Sequence, residues 1–289
     1  MTETPRAALF VAHPGHELRV HRWLELARPL VFVLTDGSGR TGRSRLAATS
    51  EVLARCGARP GPIYGRMTDG ELYRALLDGR RELFAGLAEE LAESLRREAI
   101  QLVAGDAIEG FNPAHDVSRL LLNAAVASLR AGGRTIENRD FPLDGAPGAP
   151  TGEGRAATLR IQLDPEALAR KLAAARSYPG LEDEVERALA RYGPGAFQTE
   201  CLREVHYGLD VERLVPDPPY YEVYGERQVA AGLYRQVLRY REHVAPVVEW
   251  LRSGAHLPPA SLPLDEALGQ NRPPRTSGAS SRGGEARGK

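Results

Sequence analysis

The chain has 289 residues, of which 42% are hydrophobic and 26% charged, and its 38 basic and 38 acidic side chains cancel. That balance excludes a bulk-charge attraction to nucleic acid or to an anionic membrane, and no stretch has membrane-spanning length. Cys56 and Cys201 stand far apart without metal-type spacing, so neither a disulfide framework nor a cysteine-based zinc site is expected, and a reducing cytoplasm suits the chain.

In chain order, Ala7 to Ala12 is a continuous apolar run of the kind a buried parallel strand requires. Pro14 and Gly15 end it. Residues 17–27 carry Leu18, Trp23, Leu24 and Ala27 at helical spacing, and Pro29 to Leu34 reads as a second buried strand closed by the polar loop Thr35 to Gly39. A helix is expected over 45–56 with Gly57 as its stop, then a short strand near Ile63 and Tyr64. Thr68 or Asp69 can cap a helix over 70–78. Leu83, Leu87, Leu91 and Leu95 stripe a helix over 82–99. Gln101 to Gly105 predicts another buried strand, 117–131 an apolar helix ended by Gly132 and Gly133, and 134–141 a further strand.

This alternation predicts an α/β fold, a Rossmann-like, mostly parallel sheet with helices on both faces, plus a helical C-terminal region. The Gly-, Ala- and Pro-rich stretch 143–158 reads as a long loop or lid. Helical patterns resume at Pro165–Arg176 and Leu181–Tyr192, and a last helix is expected from about Glu226 to Leu251, kinked by Pro246. The expected division is an α/β metal-site domain over 1–180, a helical extension over 181–257, and a disordered tail over 258–289.

In parallel sheets, ligands bind at the carboxyl ends of the strands, where His13, Asp36 and Asp106 all fall. Val11-Ala12-His13-Pro14-Gly15-His16-Glu17 puts two imidazoles and a carboxylate on one strand-to-helix corner. Neutral imidazole is the commonest metal ligand, and a third could come from His115, in the segment that opens the later helix. Two other patterns resemble known sites less well. His16 and His21 are five positions apart, about 140° around a helix, and cannot share a metal as the zinc-protease pair does, which makes His21 a helix-surface residue. Gly37-Ser38-Gly39-Arg40-Thr41-Gly42 fits a dinucleotide-loop pattern, but it follows the second strand and no acidic residue is placed after it. Its glycines and Arg40, Arg43 or Arg45 can instead border a substrate pocket. Tyr220-Tyr221-Glu222-Val223-Tyr224 reads as a packed aromatic cluster, with stacking on a sugar as the alternative.

Three segments in order, the His13 turn, Leu34-Thr35-Asp36-Gly37, and Asn112-Pro113-Ala114-His115-Asp116, resemble the signatures of the LmbE/PIG-L-like N-acetylglucosaminyl deacetylases. Lys171 to Tyr178 resembles that family's lysine-containing stretch, so the likeness spans roughly residues 7–178. The resemblance implies a divalent metal, Zn2+ as a rule, held by His13, His16 and His115, with an imidazole at a position where the family has a carboxylate. It implies a small-molecule substrate, an amide of an amino sugar or a related conjugate, with neither nucleic acid nor membrane as partner. The family's general base corresponds to Gly15, which has no side chain, and its polar stabiliser to Asn112, which can donate a hydrogen bond but not shuttle a proton. Asp36, Asp106, Asp116 and Glu17 are the carboxylates that could replace the base; Asp116 could instead orient an imidazole, and Glu17 could simply favour the first helical turn. Two functions follow: a zinc-dependent hydrolase using Asn112 and a carboxylate such as Asp36 or Asp116, or a non-hydrolytic metal- or sugar-binding member of the same fold.

Overall fold

A computed structural model describes residues 5–39, 41–148 and 158–254. Most of the expected lid over 143–158, Arg40 of the glycine-rich loop, and the expected tail over 258–289 lie outside the described residues. The described residues all fall in one compact unit, Met1–His256. Among them, no helix is long and apolar enough to cross a membrane.

The sheet is α/β and mostly parallel. Strands β1 (Ala7–Val11), β2 (Leu30–Thr35), β3 (Arg59–Met67), β4 (Leu102–Asp106) and β5 (Glu137–Phe141) run parallel, and β6 (Thr158–Gln162) and β7 (Thr199–Glu204) are antiparallel additions, giving the order β3-β2-β1-β4-β5-β7-β6. β1, β2 and β4 are buried along their whole length, as apolar runs covered on both faces must be. Successive side chains alternate between two cores. Ala8, Phe10, Leu30, Phe32 and Leu34 join the core formed with α3 (Asp69–Leu77), α4 (Arg81–Arg97), α5 (Pro113–Ala131) and α9 (Ala245–Ser253). Leu9, Val11, Val31 and Val33 join the opposite core with α1 (His21–Ala27), α2 (Leu46–Cys56) and α6 (Pro165–Arg176).

Local chemistry sets the element ends. Thr68 caps α3 and forms a reciprocal capping box with Glu71, so Asp69 is released from capping. Asn112 caps α5 ahead of Pro113, whose missing N–H costs nothing in the first turn. β3 tolerates Pro60 and Pro62 because it is an edge strand with register shifts against β2.

Three expectations are corrected. The single helix over 226–251 is α8 (Tyr220–Ala230), a π-type turn at Tyr240–Val244, and α9. Gly232 in the left-handed region follows the end of α8, and Pro246 sits in the first turn of α9, directly after the π-type turn. The helix opening at Glu17 is a 3-10 turn, His16–Val20, that continues into α1. The region beyond 181, expected as a helical extension, also supplies β7 to the main sheet.

Candidate metal centre

β1 and β4 are neighbours in the sheet, while the chain leaves β1 toward β2 on one side and β4 toward β5 on the other. The crevice outside their carboxyl ends is the topological switch point, where such folds bind ligands. His13 and His16 lie just beyond β1, and His115 lies in the first turn of α5, which follows β4. The three rings meet there, with centroids 5.2 Å apart for His13–His16, 5.2 Å for His13–His115 and 4.6 Å for His16–His115.

Hydrogen bonds fix the outer nitrogens of two rings. His13 Nδ1–H donates to Thr35 Oγ1 at 2.8 Å, and that hydroxyl donates onward to the Ala12 carbonyl at 3.0 Å. Asp69 Oδ1 stands 2.9 Å from the same nitrogen as an ion-pair contact, without the angle of a hydrogen bond, and Asp69 Oδ2 accepts from the Gly39 N–H at 2.5 Å. His16 Nδ1–H donates to Asp106 Oδ2 at 2.9 Å, and the same oxygen accepts from the Ala12 N–H at 2.8 Å. Both networks assign the Nδ1–H tautomer and leave Nε2 with its lone pair, the arrangement that orients metal-ligating histidines. His115 Nδ1 is buried with no hydrogen-bond partner, an open donor or acceptor that a ligand would satisfy. Among the described residues, no three side chains of ligand type yet have their donor atoms converged as a finished coordination set. The donor chemistry nevertheless suits a divalent ion: three imidazoles, two of them backed by carboxylates.

Burial works against protonation of two of the rings, His13 and His115. Burial lowers the His13 pKa, opposed by Asp69 and reinforced by His16. The His115 pKa is pushed well below the ordinary value by burial first and then by the two neighbouring imidazoles. Burial would raise the Asp69 carboxyl, but the close contact and charge of His13, with Thr35 and the Gly39 N–H, outweigh it and hold the group well below the usual carboxylate range.

Glycine shapes this corner. Gly15 has φ +107°, and a Cβ there would lie 2.6 Å from Leu181 Cδ1 and 3.5 Å from Tyr178 Cε1. The place a side chain at position 15 would take is therefore filled by Leu181. Glu17, wholly buried, accepts the Gly15 N–H on Oε2 at 2.7 Å, leaves Oε1 unpartnered, and has its pKa raised by burial. A Cβ on Gly37 would come within 2.8 Å of Pro14 Cδ, so that glycine lets the loop after β2 close on the histidine turn.

The other candidate residues are placed as follows. Asn112 spends Oδ1 on the Ala114 N–H at 2.9 Å and on the Tyr73 hydroxyl at 3.0 Å, leaving its amide N–H groups for a ligand. Asp36, half-buried at the end of β2, folds back on its own loop, with Oδ1 accepting the Ser38 N–H at 2.9 Å. Asp116 hydrogen-bonds none of the three imidazoles and leaves Oδ2 buried without a partner. Its Oδ1 accepts from the Glu109 and Gly110 N–H groups at 3.1 and 3.3 Å, and burial raises its pKa to about 7. His21, expected on a helix surface, is 5% exposed and sits 3.8 Å from Cys56 Sγ through Nε2, because α1 packs that side against α2. Lys171 pairs with Glu200 at 2.8 Å and donates to the Arg19 carbonyl at 2.8 Å.

Sequence reasoning missed Thr35 and Asp69 as partners of His13 and read Asp106 only as a possible base. The signal that could have found them is positional, since all three lie at the ends of strands. Arg119 was also missed. It is 1% exposed, donates Nε to the Asp106 carbonyl at 2.5 Å and Nη1 to Asn138 Oδ1 at 2.9 Å, and so steadies the end of β4. Gly105 gives it room, because a Cβ there would lie 3.1 Å from its Nη2 and 2.3 Å from the Phe10 carbonyl.

No family model matches this chain, and no curated protein matches it. Among solved structures, it is similar to the A40926 pseudoaglycone deacetylase at 19% identity, covering 71% of this chain and 99% of that one with a TM-score of 0.49. It is similar to a triple mutant of a deacetylase of the teicoplanin biosynthetic pathway at 14% identity, covering 69% and 97% with a TM-score of 0.48. The zinc-inhibited form of the teicoplanin deacetylase follows at 12% identity, with the same coverage and a TM-score of 0.44. These identities are too low to transfer residue roles.

Proposed function

We propose that this chain is a divergent LmbE/PIG-L-type protein, a zinc-dependent hydrolase that cleaves an amide of an amino sugar or a related small conjugate. The observation that carries the reading is the imidazole cluster at the switch point, with the Nδ1–H groups of His13 and His16 engaged behind it. His13, His16 and His115 would hold the ion. Zinc, when bound, supplies a Lewis acid for an amide carbonyl and lowers the pKa of water. Asn112, with its oxygen already committed, can present only N–H donors to the substrate oxygen. Asp36 is the carboxylate at the crevice for moving a proton, since its Oδ2 is not spent on the Ser38 turn. Asp116 acts as a positioning residue, through the loop that carries Asn112. The free, buried thiols of Cys56 and Cys201 suit a cytoplasmic protein.

A second reading, metal and sugar binding without turnover, is favoured by one observation: position 15 has no side chain and Leu181 fills the space beside it. Metal analysis of purified protein, with an assay for acetate release from an N-acetylglucosaminide, separates the readings. About one zinc per chain with metal-dependent release supports the hydrolase. Zinc without release supports the binding protein, and failure to bind zinc on titration removes both.

A further inference from the structure

Four aromatic rings gather at the loop that opens α5 with Asn112 and take no part in the chemistry proposed above. Phe111 and Tyr220 stack face to face, with centroids 4.9 Å and planes 2° apart. Tyr220 continues the stack onto Tyr224 at 6.2 Å, and Tyr224 meets Tyr234 edge-on at 6.3 Å. The arrangement is built in. Gly110 has φ +64°, and a Cβ there would lie 2.6 Å from Pro216 Cδ and 3.3 Å from Pro219 Cβ. Glycine thus lets the segment before α8 press against the loop before α5, and Asp116 ties down the same loop from beneath.

Tyr73 joins this ladder to the metal centre. Its hydroxyl donates to Asn112, the residue after Phe111. Its ionisation is suppressed by burial first, then by the charge of Asp69, with Tyr234 and Tyr224 also contributing.

Internal packing does not account for the ladder. Phe111 is 44% exposed, Tyr220 46% and Tyr234 42%, whereas the core tyrosines Tyr178 and Tyr221 are 2% and 7% exposed. Phe111 and Tyr220 cover one face of each other, and the part of this stack that stays exposed suits a ring-bearing ligand. The nearby carboxylates point to an aromatic ring rather than a sugar, because they are already taken: Glu222 by the Tyr240 N–H and Arg239, and Glu226 by Arg239. A sugar needs such acceptors for its hydroxyls; an aryl group needs only the faces.

We propose that the Phe111–Tyr220–Tyr224–Tyr234 ladder is a subsite for an aromatic ring of the ligand whose polar group reaches the imidazole cluster. It rests on the proposed function for what occupies the imidazoles, while the stacking itself needs no metal. The test is calorimetric titration with p-nitrophenyl N-acetyl-β-D-glucosaminide and with methyl N-acetyl-β-D-glucosaminide, on zinc-loaded and on EDTA-treated protein. The aryl glycoside should bind about tenfold more tightly than the methyl glycoside in both states. Phe111→Ala and Tyr220→Ala should each shrink that gap to about threefold or less, while Tyr220→Phe, which keeps the ring, should preserve it. Equal affinities in the parent protein, or a gap that survives both alanine variants, overturns the subsite. Equal loss of both glycosides in the alanine variants also overturns it, since the sugar would then be the stacked ring. A gap that behaves as expected in a protein that binds no zinc leaves the ladder standing and removes the hydrolase reading. Zinc binding and acetate release without a gap does the reverse.

Discussion

At the scale of residues, two contacts decide what the centre can hold and do. Asp106 spends one oxygen on both His16 Nδ1–H and the Ala12 N–H. Asp106→Asn leaves one carbonyl oxygen to serve both donors and removes the charge behind the imidazole. Zinc affinity, measured by chelator competition, should fall about 10–100-fold; an unchanged affinity would mean that His16 is not a ligand. Gly15 and Leu181 form the second pair. Gly15→Asp places a side chain at φ +107° and 2.6 Å from Leu181 Cδ1, which should cost about 2–4 kcal/mol in urea unfolding. Adding Leu181→Ala removes the clash but not the backbone strain, so the two changes should couple favourably by about 1 kcal/mol. Strict additivity would show that the contact is not what excludes a side chain at position 15. If acetate release appears only in the double variant, the parent protein is a binder whose base position has been closed.

At the scale of elements, the legible parts of the chain were those whose information is local. β1, β2 and β4 are unbroken apolar runs, and α4 carries its leucines four apart, so each could be read without knowing its neighbours. β7 could not. It buries Glu200 and Arg203, and both charges are matched by residues distant in sequence, Lys171 and Asp140. Glu200 also accepts the Arg22 and Trp23 N–H groups at 2.9 Å each, capping α1 from another element. That caps a helix whose own N-terminus offers no capping side chain. The Lys171 stretch therefore has a structural account that its sequence likeness did not suggest. Lys171→Met or Glu200→Gln alone strands a buried charge and should destabilise by about 3–5 kcal/mol. The double variant should be more stable than the sum of the two losses by about 1–3 kcal/mol. Additive losses in denaturant unfolding would show that the pair contributes no mutual interaction.

At the scale of the whole molecule, the sheet order converts scattered strand ends into one site. His13, Thr35, Asp69, Asp106 and His115 come from the ends of β1, β2, β3 and β4 and the start of α5, and no sequence window contains them together. The histidines were legible because their two segments resemble ordered signatures of one family. Asp106 was legible at a strand end but not as the partner of His16, and Asp69 was not legible, because it looks like a helix cap until Thr68 is seen to fill that role. The same convergence means that an ion held here ties four strands and a helix together and binds the native state alone. At a free zinc concentration of about 100 times Kd, such linkage adds ~2.7 kcal/mol of stability. For a chain of this size, that corresponds to a rise in Tm of about 5–10 °C. EDTA should reverse the rise, and His115→Ala should abolish most of it, since the third ring is the one contributed by α5. A scanning calorimetry trace in which zinc leaves Tm unchanged, or raises it equally in His115→Ala, would place any bound zinc away from this cluster.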